Sequence, residues 1–187
     1  MKKELILALR FTLVTTLVFG LIYPLGVTGL SQLLFPKQAT GSLIERNGQV
    51  VGSKLIGQTF SSDKYFHSRP SAAGTGYDAT ASSASNLAPT NQALADRVKS
   101  DVAKLQQENP GTSIPADLVT SSGSGLDPEI SPAAAEFQIP RIAKVRGISV
   151  DSLKAIVSRH TQARTFGIFG EPRVNVLELN LDLDSLK

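Results

Sequence analysis

Residues 121–135 read SSGSGLDPEISPAAA and set Ser124 between two glycines, with two carboxylates close behind it. Ser124 is of a type that can serve as a nucleophile, and Asp127 and Glu129 are of a type that can exchange protons. A hydrolase elbow, however, takes the form G-x-S-x-G behind an apolar strand. Here Ser122 stands where the first glycine belongs, and no apolar run delivers the serine. His67 and His160 are the two histidines that could act as a base, and a triad is recognised by geometry that spacing does not supply. Against this stands ordinary turn chemistry in Gly125 and Asp127-Pro128. Ser131-Pro132 then reads as a helix N-cap with proline at the first helical position. The stretch is therefore expected to be structural: Gly123, Gly125, Asp127 and Pro128 form a tight turn that feeds a helix opened by Ser131 and Pro132.

Other chemistries find less. Two distant histidines and no cysteine provide none of the usual metal-ligand spacings, no thiol chemistry and no disulfide framework. GTGYDA, residues 74–79, matches G-x-G-x-x-A in form, but it follows no strand and opens no helix. With no G-x-x-x-x-G-K-[ST] either, no cofactor or bound nucleotide of its own is expected. Arg69, Arg141, Arg164 and Arg173 each adjoin a turn or proline signal, and Glu171 lies beside the last of them. Planar guanidinium groups on rigid turns suit docking to another protein, which makes these five the candidate subunit-docking residues.

The elements that position these residues begin with an apolar stretch. From Phe11 to Pro36 no side chain is charged, which is enough to cross a bilayer as a helix. Pro24 is expected to kink that helix. Gly20, Gly26 and Gly29, with Thr15, Thr16 and Thr28, offer small faces for neighbouring helices. The run is longer than a signal-peptide core and lacks an A-x-A site, so a retained anchor is favoured. Lys2, Lys3 and Arg10 crowd its N-terminal side, which by the positive-inside rule places residues 1–10 in the cytoplasm, 11–35 in the membrane and 36–187 outside. That outer part carries 16 basic and 15 acidic residues with no basic run among aromatics, so no nucleic-acid partner is expected.

In the outer part, SLIERNGQVVGSKLIGQTF reads as a hairpin turning at Asn47-Gly48. A Ser/Ala/Gly/Thr-rich stretch from Ser61 to Asn91 has no period and is too long for a routine connection. TNQALADRVKSDVAKLQQENPG is a helix capped by Thr90 or Asn91, with Leu94, Val98, Val102 and Leu105 on one face. The helix after Ser131 is expected to kink or divide at Pro140. A third, capped by Ser149, turns Val150, Leu153, Ile156, Val157 and His160 inward. RVNVLELNLDLD alternates Leu177, Leu179, Leu181 and Leu183 with polar residues, the pattern of a half-buried strand. The expected fold class is α+β: one N-terminal transmembrane helix followed by a single extracytoplasmic α+β domain.

GSKLIGQTFSSDKYFHSRPSA at 52–72, SNLAPTNQAL at 85–94, DLVTSSGSGLDPEISPAAAEFQIPRIAKVRG at 117–147 and HTQARTFGIFGEPRVNVLELNLDLD at 160–184, behind a basic start and one span, resemble the C subunit of the bacterial Kdp potassium-transporting P-type ATPase. Ala88 and Glu129 depart from that pattern, which has glycine and frequently histidine there. The resemblance implies a non-catalytic accessory subunit of a high-affinity potassium importer in the bacterial inner membrane. Its implied partners are a channel-like potassium-binding subunit, a P-type ATPase subunit that uses the ATP, a small single-span subunit, and membrane lipid. It also implies a role in assembly and in raising the ATPase subunit's affinity for ATP, as a catalytic chaperone. A membrane-anchored hydrolase and a secreted binding module with a mature N-terminus near Leu30 stand as the alternatives.

Overall fold

The computed structural model describes residues 1–186. Its contacts divide the chain into two compact units, Met1–Val51 and a second that begins at Gly52.

In the first unit, α1 (Lys2–Leu17), a π-helical turn (Val18–Ile22) and α2 (Tyr23–Leu34) run on as one apolar helix of 33 residues. At about 1.5 Å per residue it exceeds the roughly 30 Å of a bilayer's hydrocarbon core. The span expected at 11–35 lies almost wholly inside it. No residue of this helix is buried within the chain, as suits a surface that faces lipid or other helices. Pro24 lacks an N–H and its ring crowds the carbonyl four residues back, at Gly20. The chain answers with the π turn: Tyr23 N–H bonds Val18 O, one residue further back than in an α-helix, and the helix continues. After a short α3 (Pro36–Ala39) come β1 (Leu43–Arg46) and β2 (Gln49–Ser53), paired as expected. Asn47 and Gly48 take φ of 53° and 76° at their turn.

The second unit opens with the last two residues of β2 and continues in a long segment, residues 54–91, of turns and extended chain. Then follow α4 (Gln92–Glu108), a 3-10 turn (Ala116–Leu118), β3 (Glu129–Ile130), α5 (Pro132–Arg146), α6 (Val150–His160), β4 (Thr161–Gln162), β5 (Arg173–Asn175) and α7 (Val176–Leu183). β5 is the middle strand of a small antiparallel sheet ordered β3-β5-β4, with Ile130 and Thr161 both opposite Val174. α5 and α6 pack together, and α6 and α7 do the same. The core between them holds Phe66, Ile130, Phe137, Ile139, Ile142, Leu153, Val157, Val174, Leu179 and Leu183.

Helix starts follow local chemistry. Asn91, Ser131, Ser149 and Asn175 each accept a hydrogen bond from a first-turn N–H of the helix that follows. Gly147, at φ 68°, closes α5 in the left-handed conformation that a side chain disfavours. Pro140 does not divide α5: both it and Glu136, whose carbonyl it leaves unbonded within the helix, lie on the exposed face where water can serve. The α4 stripe of Leu94, Val98, Val102 and Leu105 is only half-buried, and Val150 is exposed rather than inward.

The largest departure is at the C-terminal end, where LELNLDLD is a helix and not a strand. Alternating leucines at 177, 179, 181 and 183 also satisfy a helical face once Val176 and Asn180 are counted. Both of those are buried, while Leu181 is only half-buried. Asn175 decides the matter locally by accepting from Glu178 N at 3.0 Å, which ends β5 and starts α7. Leu179→Ala is thus expected to cost about 2–5 kcal/mol and Leu181→Ala under about 1 kcal/mol. Equal losses on denaturant unfolding of the detergent-solubilised chain would speak for the strand.

Candidate functional site

The segment 62–67, SDKYFH, has no ladder partner, yet five successive carbonyls in it are bonded by side chains from two helices. Arg141 donates to Asp63 O and Tyr65 O, and Arg146 to Lys64 O. Asn180 brackets Phe66, accepting from its N–H at 2.8 Å and donating to its carbonyl at 2.9 Å. Gln138 does the same for His67 at 2.8 and 3.1 Å. Both amides are 2% exposed, so these bonds form out of water, where an unpaired backbone group costs about 1–3 kcal/mol. The grip carries the Phe66 ring, fully buried, into the core. Sequence reading missed Gln138 and Asn180 because polar residues at such positions look like the wet side of a helix or strand. Their one signal is a break in apolar periodicity that no turn residue explains.

The 121–129 loop stitches the rest of the long segment in place. Gly57 N donates to Leu126 O, Ser71 Oγ to Gly125 O at 2.6 Å, Ser83 N to Ser124 O, and Ser122 N to Pro70 O. Tyr77 Oη reaches back to Arg69 O. Ser124 Oγ accepts from Leu126 N and lies 3.1 Å from Ser122 Oγ. Neither histidine bonds it: His160 Nε2 pairs with Asp182 Oδ2 at 3.0 Å, and His67 Nε2 faces Ser62 O. Gly125 has φ 69°, and a Cβ there would meet Ser83 O at 2.5 Å and the Ala73 Cβ at 2.8 Å. Gly123, by contrast, faces open space.

The carboxylates read as acid/base candidates are occupied by arginines read as docking candidates. Asp127 takes Arg69 Nη1 at 3.0 Å on one oxygen and Glu129 N on the other, an Asx turn over Pro128. Glu129 takes Arg173 Nε at 3.0 Å, and the Pro128 carbonyl accepts from Val176 N. Arg141 pairs with Glu108 at 2.8 Å with only 10% of its side chain exposed. Two-residue β3 stands between this turn and the Ser131 cap, and Asp117 bonds both Ser131 N and its hydroxyl. Arg69, Arg141 and Arg173 therefore bind parts of this unit to one another. Arg164 and Glu171 are different: they pair with each other at 2.6 Å on an exposed excursion between β4 and β5. Its tip holds Phe166, Ile168 and Phe169, which are 88%, 73% and 64% exposed. Phe166 sits at φ 53°, a conformation that costs a residue with a Cβ about 1–2 kcal/mol. This tip, too, went unread in the sequence, although two glycines within five residues of three apolar ones marked it.

Among the described residues no cluster of three His, Asp or Glu side chains could hold a metal ion. A cleft of about 340 Å³ opens beside His67, Asp101, Lys104, Glu108 and Gln138. Burial, reinforced by the Arg141 guanidinium, holds the His67 ring below the ordinary histidine value of 6.5. A hydrogen bond from His160, working against partial burial, holds the Asp182 carboxyl below its usual range.

Fold and site together define a class: an α+β unit, cross-braced by its own arginines and amides, on a chain with one apolar helix of membrane-spanning length. A model of the family described as KdpC, the c chain of the K+-transporting ATPase, matches residues 5–185. Proteins called potassium-transporting ATPase KdpC subunit are similar along nearly their whole length. The one from Koribacter versatilis (strain Ellin345) is 57% identical over 98% of this chain and 95% of its own. That from Rhodopseudomonas palustris (strain BisB18) is 56% identical over 100% of both, and that from Acidobacterium capsulatum 57% over 96% of both. The chain belongs to the KdpC family.

Two outcomes follow from the geometry. Gly125→Val should destabilise the chain by about 2 kcal/mol or more, through a strained φ and the clash with Ser83 and Ala73. Ser124→Ala should cost about 1 kcal/mol, because its bonds to Leu126 N and Ser122 Oγ are made by an exposed side chain; thermal unfolding of the purified chain ranks the two. For His67 the folded state binds its proton more weakly than the unfolded state. Its contribution is complete above 6.5 and is lost as pH falls from there to the depressed folded value. The melting temperature should fall between about pH 7.5 and pH 5, and His67→Gln should flatten that decline; an unchanged slope would refute the assignment.

Proposed function

We propose that this chain is the accessory subunit of an ATP-driven potassium importer in the bacterial inner membrane, with its N-terminus in the cytoplasm and residues 36–187 outside. The observation that carries the reading is the near full-length identity to proteins named as KdpC subunits of a potassium-transporting ATPase. Three basic residues ahead of the apolar stretch support the orientation. The partners in this reading are a channel-like potassium-binding subunit, a P-type ATPase subunit and a small single-span subunit.

The apolar helix meets its partners through its small faces: Gly26 and Gly29 have nothing within 4 Å of where a Cβ would stand, so another backbone can approach. The outer unit covers the outer ion entrance of the channel-like subunit. ATP is bound and hydrolysed by the ATPase subunit, and this chain needs no cofactor. Its effect on ATP affinity, as a catalytic chaperone, travels through the pump's conformational equilibrium: contacts that favour the ATP-binding state of the complex raise apparent affinity without touching nucleotide.

Two measurements test this. Protease added to sealed, right-side-out cells should cleave the chain after the span, and protection there would overturn the orientation. A mild-detergent pull-down on this chain should recover two larger membrane proteins, and potassium-stimulated ATPase activity should be lost without it. Undiminished activity in its absence would overturn the accessory role.

A further inference from the structure

We infer that the hairpin tip Thr165–Phe169 is a plug that seats in an apolar cleft on another subunit of the transporter. The inference deepens the subunit reading above and rests on it.

Residues 163–172 are exposed along their whole length, yet the tip is ordered by its own backbone. Thr165 and Phe169 exchange both N–H bonds at 2.9 Å, Gly167 N donates to Arg164 O at 3.0 Å, and Arg164–Glu171 clasps the base. The shape is thus built before any partner arrives, which lowers the ordering cost of binding. What it presents is apolar: Phe166, Ile168 and Phe169 project from a loop where asparagine or glycine would be both less strained and more soluble. Phe166 is 88% exposed, so burial within the fold does not account for its presence at a positive φ.

The occupant follows from charge and area. A loop made to enter a lipid interface would carry a lysine- or arginine-rich rim and tryptophan or tyrosine. Between His160 and Arg173 there is no lysine, tryptophan or tyrosine, and the rim is one neutralised Arg–Glu pair. The three side chains offer roughly 400 Å² of apolar surface. Two tips meeting in a homodimer would bury roughly 800 Å² in total, below what a specific interface needs. As the aromatic centre of a larger contact, the same area is sufficient. A protein cleft with a polar rim, on a subunit already tethered in the same membrane, fits best.

The test uses the whole complex purified in mild detergent. Phe166→Asn relieves the positive φ, so the chain should fold at least as well, as read from its melting temperature. Combined with Ile168→Ser it should reduce recovery of the larger subunits roughly tenfold or more relative to the unaltered chain. Phe166 replaced by photoreactive p-benzoylphenylalanine should cross-link to one of those subunits. Cross-links confined to lipid, or to a second copy of this chain, overturn the proposal, as does undiminished recovery with the double variant. If the unaltered chain itself recovers no larger subunit, the functional reading fails and the tip proposal with it. Recovery by the unaltered chain together with silent tip variants sinks the tip proposal alone.

Discussion

The fold of the second unit depends on satisfying the backbone of a segment that has no strand to pair with. Phe66 must enter the core, and its neighbours must follow it, but residues 62–67 lie against helices, whose own N–H and C=O groups are already used. Buried amides of Gln138 and Asn180 therefore act as substitute ladder partners, each offering one donor and one acceptor to one residue. Arg141 and Arg146 extend the same service to carbonyls 63–65. Because α5 supplies three of these side chains and α7 the fourth, the segment ties two helices together, and its order depends on theirs.

The same economy governs the loop at 121–129. Its serines, glycine and aspartate close a second set of loop-to-loop bonds, and its two carboxylates hold Arg69 and Arg173. Residues that resemble catalytic apparatus are consumed by cohesion, which is what a unit with a long irregular segment and a small sheet requires. Charge neutralised internally leaves the surface with few strong features. The exposed apolar hairpin tip stands out, since Phe166, Ile168 and Phe169 are 88%, 73% and 64% exposed side by side in the chain.

In the apolar helix, the constraint is again an unmade backbone bond. Pro24 removes a donor, and the π turn shifts the pattern by one residue so that the helix runs on to Leu34. In lipid, where no water can compensate, a re-routed hydrogen bond is favoured over a break.

Local chemistry was legible in the sequence wherever one residue and its neighbours decide the outcome. The Asn47-Gly48 turn, the caps at Asn91, Ser131 and Ser149, the Asp127-Pro128 turn and the apolar helix all follow from φ preferences, capping oxygens and hydropathy. Four worded blocks also carried the family. Tertiary structure decided whether LELNLDLD became strand or helix, because its leucines satisfy a period of two and a helical face alike; burial of Val176 and Asn180, together with the Asn175 cap, separates them. It decided that Pro140 is harmless, because that depends on which face meets water. It decided, too, that Arg69, Arg141 and Arg173 grip their own unit while Arg164 and Glu171 frame an exposed tip. For Arg69, Arg141 and Arg173 the partner lies tens of residues away, and sequence spacing holds no record of that distance.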